Sequence, residues 1–179
     1  MGKPLPHEPR PVLRESATAR VLIAGQAPGT RVHKSGMPFT DPSGDRLRDW
    51  MGVEPEVFYN NAKIAIAPMG FCFPGLDSKG SDLPPRRECA QAWRADLLAA
   101  MPQIELVLVI GIYAQGWHTP GSGTLTQKVM NWRQGLDRQP QTIALPHPSW
   151  RNSGWLKANP WFAEDLLPDL RARIRALVS

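Results

Sequence analysis

The sequence predicts an α/β fold: a single-domain three-layer α/β/α sandwich built on a central four-stranded parallel sheet. Three observations predict it. Four short apolar runs alternate with segments of helical spacing, the order that a parallel sheet with crossover helices requires. The runs are almost continuously hydrophobic rather than alternating, as strands covered on both faces are. The 179 residues fit one domain, long enough to bury roughly 70% of the surface that the unfolded chain exposes.

Residues 1–19 are rich in proline and charge and predict an extended arm ahead of a domain spanning 20–179. "RVLIAG" (20–25) reads as the first buried strand. After the loop "QAPGTRVHKSGMPFTDP", Ser43 is placed to cap a helix that buries Leu47, Trp50 and Met51 and stops at Gly52. "AKIAIAP" (62–68) is the second strand, followed by an irregular Gly- and Pro-rich stretch. From Pro85 to Met101, Cys89, Trp93 and Leu97 recur every fourth residue beside Ala90, Leu98 and Met101, predicting an amphipathic helix. "ELVLVIG" is the third strand and "QTIALP" the fourth, with short helices expected over 112–118 and 124–132. The tail from Pro160 is helical in pattern, interrupted near Pro168.

Composition narrows the function. The formal charge of +5 favours an anionic partner without requiring one, and the 19 prolines and 7 tryptophans predict stiff loops and large contact faces. Two cysteines without a CxxC pattern cannot supply a four-thiolate metal site, so neither metal nor cofactor is expected. No apolar run has membrane-spanning length, and "MGKPLPHEPRPVL" lacks the apolar core of a signal peptide. A monomeric cytoplasmic enzyme or binding protein is the expectation.

In parallel sheets function gathers beyond the carboxyl ends of strands. "GQAPG" and "LPHPSWRN" follow the first and fourth strands, so a parallel sheet brings them to one rim although they lie about 120 residues apart. In "GQAPG", Gly25 and Gly29 allow close approach to the backbone, Pro28 stiffens the turn, and the Gln26 amide both donates and accepts; an ordinary strand-to-helix turn also fits. Phe39 of "SGMPF" offers a ring to stack on a heterocycle, or a core residue. Asp41 and Asp45, near the next helix start, suit capping as well as catalysis. In "HPSWRN", Pro146 and Pro148 restrain His147, which can donate to a developing negative charge. Ser149 can bind a phosphate oxygen, Trp150 can wedge between bases, and Arg151 can bind phosphate. A proline turn carrying a surface histidine is the plainer alternative. Trp150, Trp155 and Trp161, interspersed with Arg151 and Lys157, suit single-stranded nucleic acid or the packing of the last helix.

These motifs, in this order across about residues 20–155, resemble the uracil-DNA glycosylase superfamily. "GQAPG" and "SGMPF" are similar to the GEAPG and G-x-PF of its thermostable iron-sulfur class, and "HPSWRN" is similar to the HPSPRN of its single-strand-selective monofunctional class. Three departures stand out. Cys72 and Cys89 look like the last two cluster ligands, but the amino-terminal pair is absent, which implies no cluster. Ala27 stands where GQDPY-bearing members carry an aspartate. The family's base-reading asparagine, expected at the end of the second strand, is replaced by "IAPMG", which leaves Asn61, or backbone groups near Pro68, Met69 and Gly70, to read the base.

The resemblance implies a monofunctional glycosylase that hydrolyses the N-glycosidic bond of uracil or a related damaged base in DNA. His147 and Gln26 would be catalytic. Gly25, Ala27, Pro28, Gly29, Phe39, Asn61, Met69 and Gly70 would hold the base, and Ser149, Trp150, Arg151 and Asn152 would hold the DNA. A non-catalytic binder of damaged or single-stranded nucleic acid on the same scaffold is the alternative.

Overall fold

Four parallel strands, β1 (Val21–Ala24), β2 (Ile64–Ile66), β3 (Leu106–Ile110) and β4 (Gln141–Leu145), form a sheet of order β2-β1-β3-β4 in the computed structural model, which describes residues 4–179. The register pairs Ile23 with Ile66 and Leu108, and Leu108 with Ile143. Nearly every strand residue is buried, because both faces are covered. Val21, Ile23, Ile64, Leu106, Leu108 and Ile143 point into one core layer, and Leu22, Ala24, Ala65, Ala67, Val107 and Val109 into the other. The three-layer arrangement follows from this period-two alternation.

The first layer is closed by α2 (Pro42–Met51) and the carboxyl-terminal α9 (Leu167–Val178), through Leu47, Trp50, Met51, Leu170 and Ile174. The second is closed by α4 (Arg87–Ala99) and by Ala114 of α5 (Ile112–His118). Shorter helices fill the connections: α1 (Thr30–Ser35), α3 (Pro55–Phe58), α6 (Leu125–Met130), α7 (Trp132–Gly135) and α8 (Ser153–Ala158). Segment 124–132 is therefore two helices, the first opened by a capping box between Thr124 and Gln127.

Several expectations change in detail. Ser43 lies inside α2; Asp41 holds the capping position and Pro42 the first turn, where its missing amide costs nothing. The buried line of α4 runs through Ala90 and Arg94, while Trp93 is 60% exposed. The cause is the small-residue face of alanines beneath the helix, which leaves space for Arg94 to reach the carbonyls at the end of β2. Before Pro168 the last helix is not broken: it starts as a π-helical turn over Phe162–Leu166, and this wider winding absorbs the missing proline amide.

Of the amino-terminal arm, the segment at Arg14 lies on the free edge of β2, where Arg14 N donates to Ile66 O at 2.8 Å and Ile66 N to Arg14 O at 2.7 Å. Val12 N donates to Phe71 O at 2.8 Å. This antiparallel bridge occupies an edge that would otherwise present unpaired amides. From β1 the chain crosses to β2 on one side and then to β3 on the other. Such a reversal opens a crevice at the carboxyl ends of β1 and β3.

Candidate active site

A cavity of about 640 Å³ occupies that crevice. Its floor is the loop after β1, Gly25 to Gly29, with Ile66 and Pro68 from the end of β2 and Ile110 from the end of β3. Phe39 and Asp41 form one wall, His147 and Arg151 another, and a finger from Leu76 to Pro85 closes the remaining side.

The loop after β1 is fastened from below. Met69 N donates to Gly25 O at 3.0 Å and Gly70 N to Gln26 O at 2.9 Å. Gln26 rests on the end of β3: a Cβ added to Gly111 would lie 2.7 Å from the Gln26 Cδ, and Gly111 has a φ of 83° that disfavours other residues. Gly29 lets the Asp82 carboxylate come close, since a Cβ there would lie 2.8 Å from Asp82 Oδ2.

Phe39 has a φ of 57°, a left-handed conformation that costs a non-glycine residue roughly 1–3 kcal/mol. Two side chains hold it. Arg48 Nη1 donates to Phe39 O at 3.1 Å, and Tyr59 Oη donates to the carbonyls of Pro38 and Phe39, each at 2.9 Å. The ring meets Phe58 edge-on at 6.0 Å and its Cζ lies 4.0 Å from the ideal Cβ position of Gly25, over the cavity floor. The ring is thus half-buried and held in place at the cavity wall, a geometry able to accept a flat ring against it.

His147 is half-buried on the rim after β4. Burial pushes its pKa below the ordinary 6.5, opposed by the nearby charge of Asp41, so the ring is neutral at pH 7. A neutral imidazole is a donor that carries no charge to neutralise beforehand, suited to an oxygen that becomes anionic during reaction. Its backbone is anchored by Asn152, whose Nδ2 donates to His147 O at 2.7 Å. Asp41 holds the capping position of α2 without a side-chain cap hydrogen bond, and its carboxylate faces the cavity. Position 27 is alanine, and Asp41 is the acidic residue that this side of the cavity carries.

The structure brings Gly25, Gln26, Ala27, Pro28, Gly29, Phe39, His147 and Arg151 together around one cavity. It does not bring Asn61 there. Asn61 precedes β2, at the edge of the sheet opposite the rim, because the strand runs from it toward the site. Met69 and Gly70 lie behind the floor, and their amides fasten the loop after β1 instead of facing the cavity. Ser149 lies outside the lining, its carbonyl accepting from Arg46 Nη1 at 3.0 Å. Trp150 is 76% exposed beside the mouth, with the Arg151 guanidinium 5.9 Å from its ring. Trp155 and Trp161 pack edge-on against Phe162 and belong to the core.

Sequence reasoning missed Arg94 and Asp82 and left Asp41 undecided. Arg94 is fully buried and donates to Ala67 O at 2.7 Å, Pro68 O at 3.2 Å and His118 Nε2 at 2.8 Å. Burial lowers its pKa to about 10, so it stays cationic, while burial and the Arg94 charge push His118 down to about 3. A lone polar residue on the buried line of α4 was the available signal. Asp82 carried none, because it lies in a turn-forming stretch, "LDSKGSDLPP", with no helical or strand period to set it apart.

Cys72 and Cys89 are free thiols on a separate, smaller cavity. Two thiols do not meet the four-ligand requirement of an iron-sulfur cluster, and among the described residues no group of three or more His, Cys, Asp or Glu could hold a metal ion. Among the described residues no helix is long and apolar enough to cross a membrane.

The family model described as the uracil DNA glycosylase superfamily matches residues 14–171 of the 179, from the arm that edges β2 to the middle of α9. That span contains every strand and helix around the cavity, and the chain belongs to the uracil DNA glycosylase superfamily.

Proposed function

We propose that the protein is a monofunctional DNA glycosylase that hydrolyses the N-glycosidic bond of uracil or a related damaged base. The observation that carries this reading is the convergence of Gln26, Phe39, Asp41 and His147 on one cavity at the reversal of the sheet. At about 640 Å³, the cavity has room for a nucleotide turned out of the stack.

The base stacks on Phe39. As the bond between C1′ and the base lengthens, the bonding pair moves onto the base and the sugar becomes oxocarbenium-like. His147 donates to the base oxygen that gains charge, and the Asp41 carboxylate stabilises the sugar cation and orients the attacking water. Gln26 adds a second polar contact to base or water. Water forms the new bond to C1′ and loses its proton to the Asp41 carboxylate, which passes it to solvent, and the departing base leaves as an anion that solvent protonates. No covalent enzyme intermediate is needed, which is what makes the enzyme monofunctional. Outside the cavity, Trp150 fills the gap left in the stack and Arg151 meets the phosphates. The protein acts as a monomer, and its two free thiols suit a reducing compartment such as the cytoplasm.

The test is incubation with uracil-containing single- and double-stranded oligonucleotides followed by alkaline cleavage of abasic sites. Strand scission is expected with uracil. Absence of scission with uracil, hydroxymethyluracil, xanthine and hypoxanthine, together with salt-dependent binding, would instead identify a non-catalytic binder.

A further inference from the structure

The end of β2 cannot supply donors to a base edge. Position 68 is a proline, with no amide hydrogen, and the amides on either side are engaged: Ala67 N with Ile23 O at 3.0 Å, Met69 N with Gly25 O, and Gly70 N with Gln26 O. The carbonyls of Ala67 and Pro68 already accept from Arg94. Side chains must therefore discriminate between bases. Gln26 rests on Gly111 at the floor, and the finger supplies the opposite wall.

That wall is a finger with its own internal order. Asp77 Oδ1 accepts from Lys79 N at 2.8 Å and Ser81 N at 2.9 Å, Leu83 N donates to Gly75 O at 2.9 Å, and Leu76 bridges to Asp82. The finger delivers one carboxylate to the cavity, Asp82. Asp82 is itself exposed on that wall, with its carboxylate set against the bare Cα of Gly29. Partial desolvation of the carboxylate raises its pKa above the ordinary value, opposed by the Thr30 amide and the Arg151 charge.

We infer that Asp82 is a specificity-determining residue that accepts a hydrogen bond from the ring N–H of the bound base. The inference rests on the glycosylase reading above and names its substrate class. Hydrolytic deamination changes the ring nitrogen beside the lost amine from an acceptor to a donor: N3 of cytosine becomes N3–H in uracil, and N1 of adenine becomes N1–H in hypoxanthine. An acceptor-only carboxylate opposes the parent base, lone pair against lone pair, and pairs with the deaminated product. Asp82 thus selects deaminated bases as a class, across pyrimidine and purine, through the one group that deamination alters in both.

Single-turnover base release decides it, using oligonucleotides that carry uracil or N3-methyluracil, with wild type, Asp82→Ala and Asp82→Asn. Wild type should prefer uracil by roughly 10- to 100-fold, the value of a hydrogen bond to a charged group. Asp82→Ala should slow uracil release and bring the two rates within a few-fold. Asp82→Asn, which keeps an accepting oxygen and the finger's packing, should retain most of the preference. An unchanged ratio in Asp82→Ala, with wild type active, overturns this role for Asp82 and leaves the glycosylase reading intact. No base release by wild type from either substrate or from hypoxanthine overturns both.

Discussion

Asn152 Nδ2 donates to the carbonyl oxygen of His147 at 2.7 Å, closing the turn that carries the imidazole. The two prolines around His147 restrict its neighbours' backbone, but it is this bond that ties the turn to the helical segment starting at Trp150. Asn152→Ala should therefore lower kcat by about tenfold with little change in KM, since the imidazole is displaced while Phe39 and the loop after β1 still bind the base. Asn152→Asp, which keeps an acceptor but loses the donor, should do the same. Steady-state kinetics on a uracil oligonucleotide check both, and an equal rise in KM would instead place Asn152 on the DNA.

His147→Ala should reduce single-turnover base release by roughly two to three orders of magnitude. The folded-state pKa of His147 lies below 6.5, so its neutral form persists as pH falls through 6.5. The acid limb of the kcat profile should accordingly lie below pH 6.5. Asp41→Asn removes the charge that holds that pKa up, so the surviving activity should show its acid limb moved further down; a limb moved upward would contradict the pairing.

Trp150 stands exposed and Arg151 is set beside its ring. Trp150→Ala should weaken release from double-stranded more than from single-stranded DNA, because only a duplex leaves a gap to be filled. A loss of about 1–3 kcal/mol is the scale of one stacked base. Arg151→Gln should flatten the salt dependence of binding by about one unit of slope. Oligonucleotide binding at several salt concentrations reads both effects.

His118, with a pKa of about 3 in the fold and an ordinary value near 6.5 in the unfolded chain, links stability to pH. Between those values the unfolded chain binds a proton that the folded chain refuses, so the stabilisation is present above about pH 6.5 and declines as pH falls toward 3, by a few kcal/mol. His118→Gln, able to accept from Arg94 without titrating, should show a flatter fall in thermal midpoint between pH 6.5 and 4. Thermal unfolding across that range measures it.

The strands, their shared direction and the meeting of "GQAPG" with "HPSWRN" on one rim were legible in the sequence, because they depend on local patterning and a general rule of connection. The placement of His147 beside the crevice was legible for the same reason. The buried face of α4 was not: helical spacing favoured Trp93, whereas the alanine-rich sheet beneath accommodates Arg94.

By itself, then, the sequence determined which segments become strands and which loops reach the site, since side-chain period and chain direction are properties of consecutive residues. Only the tertiary structure decided which polar groups remain free to act. The amides after Pro68 are spent on Gly25 and Gln26, the Asn152 amide is spent on His147, and Asn61 is at the far edge, while Asp41 and Asp82 face the cavity. A polar group does chemistry on a ligand only where folding has not already given it a partner, and those partners come from residues distant in the chain.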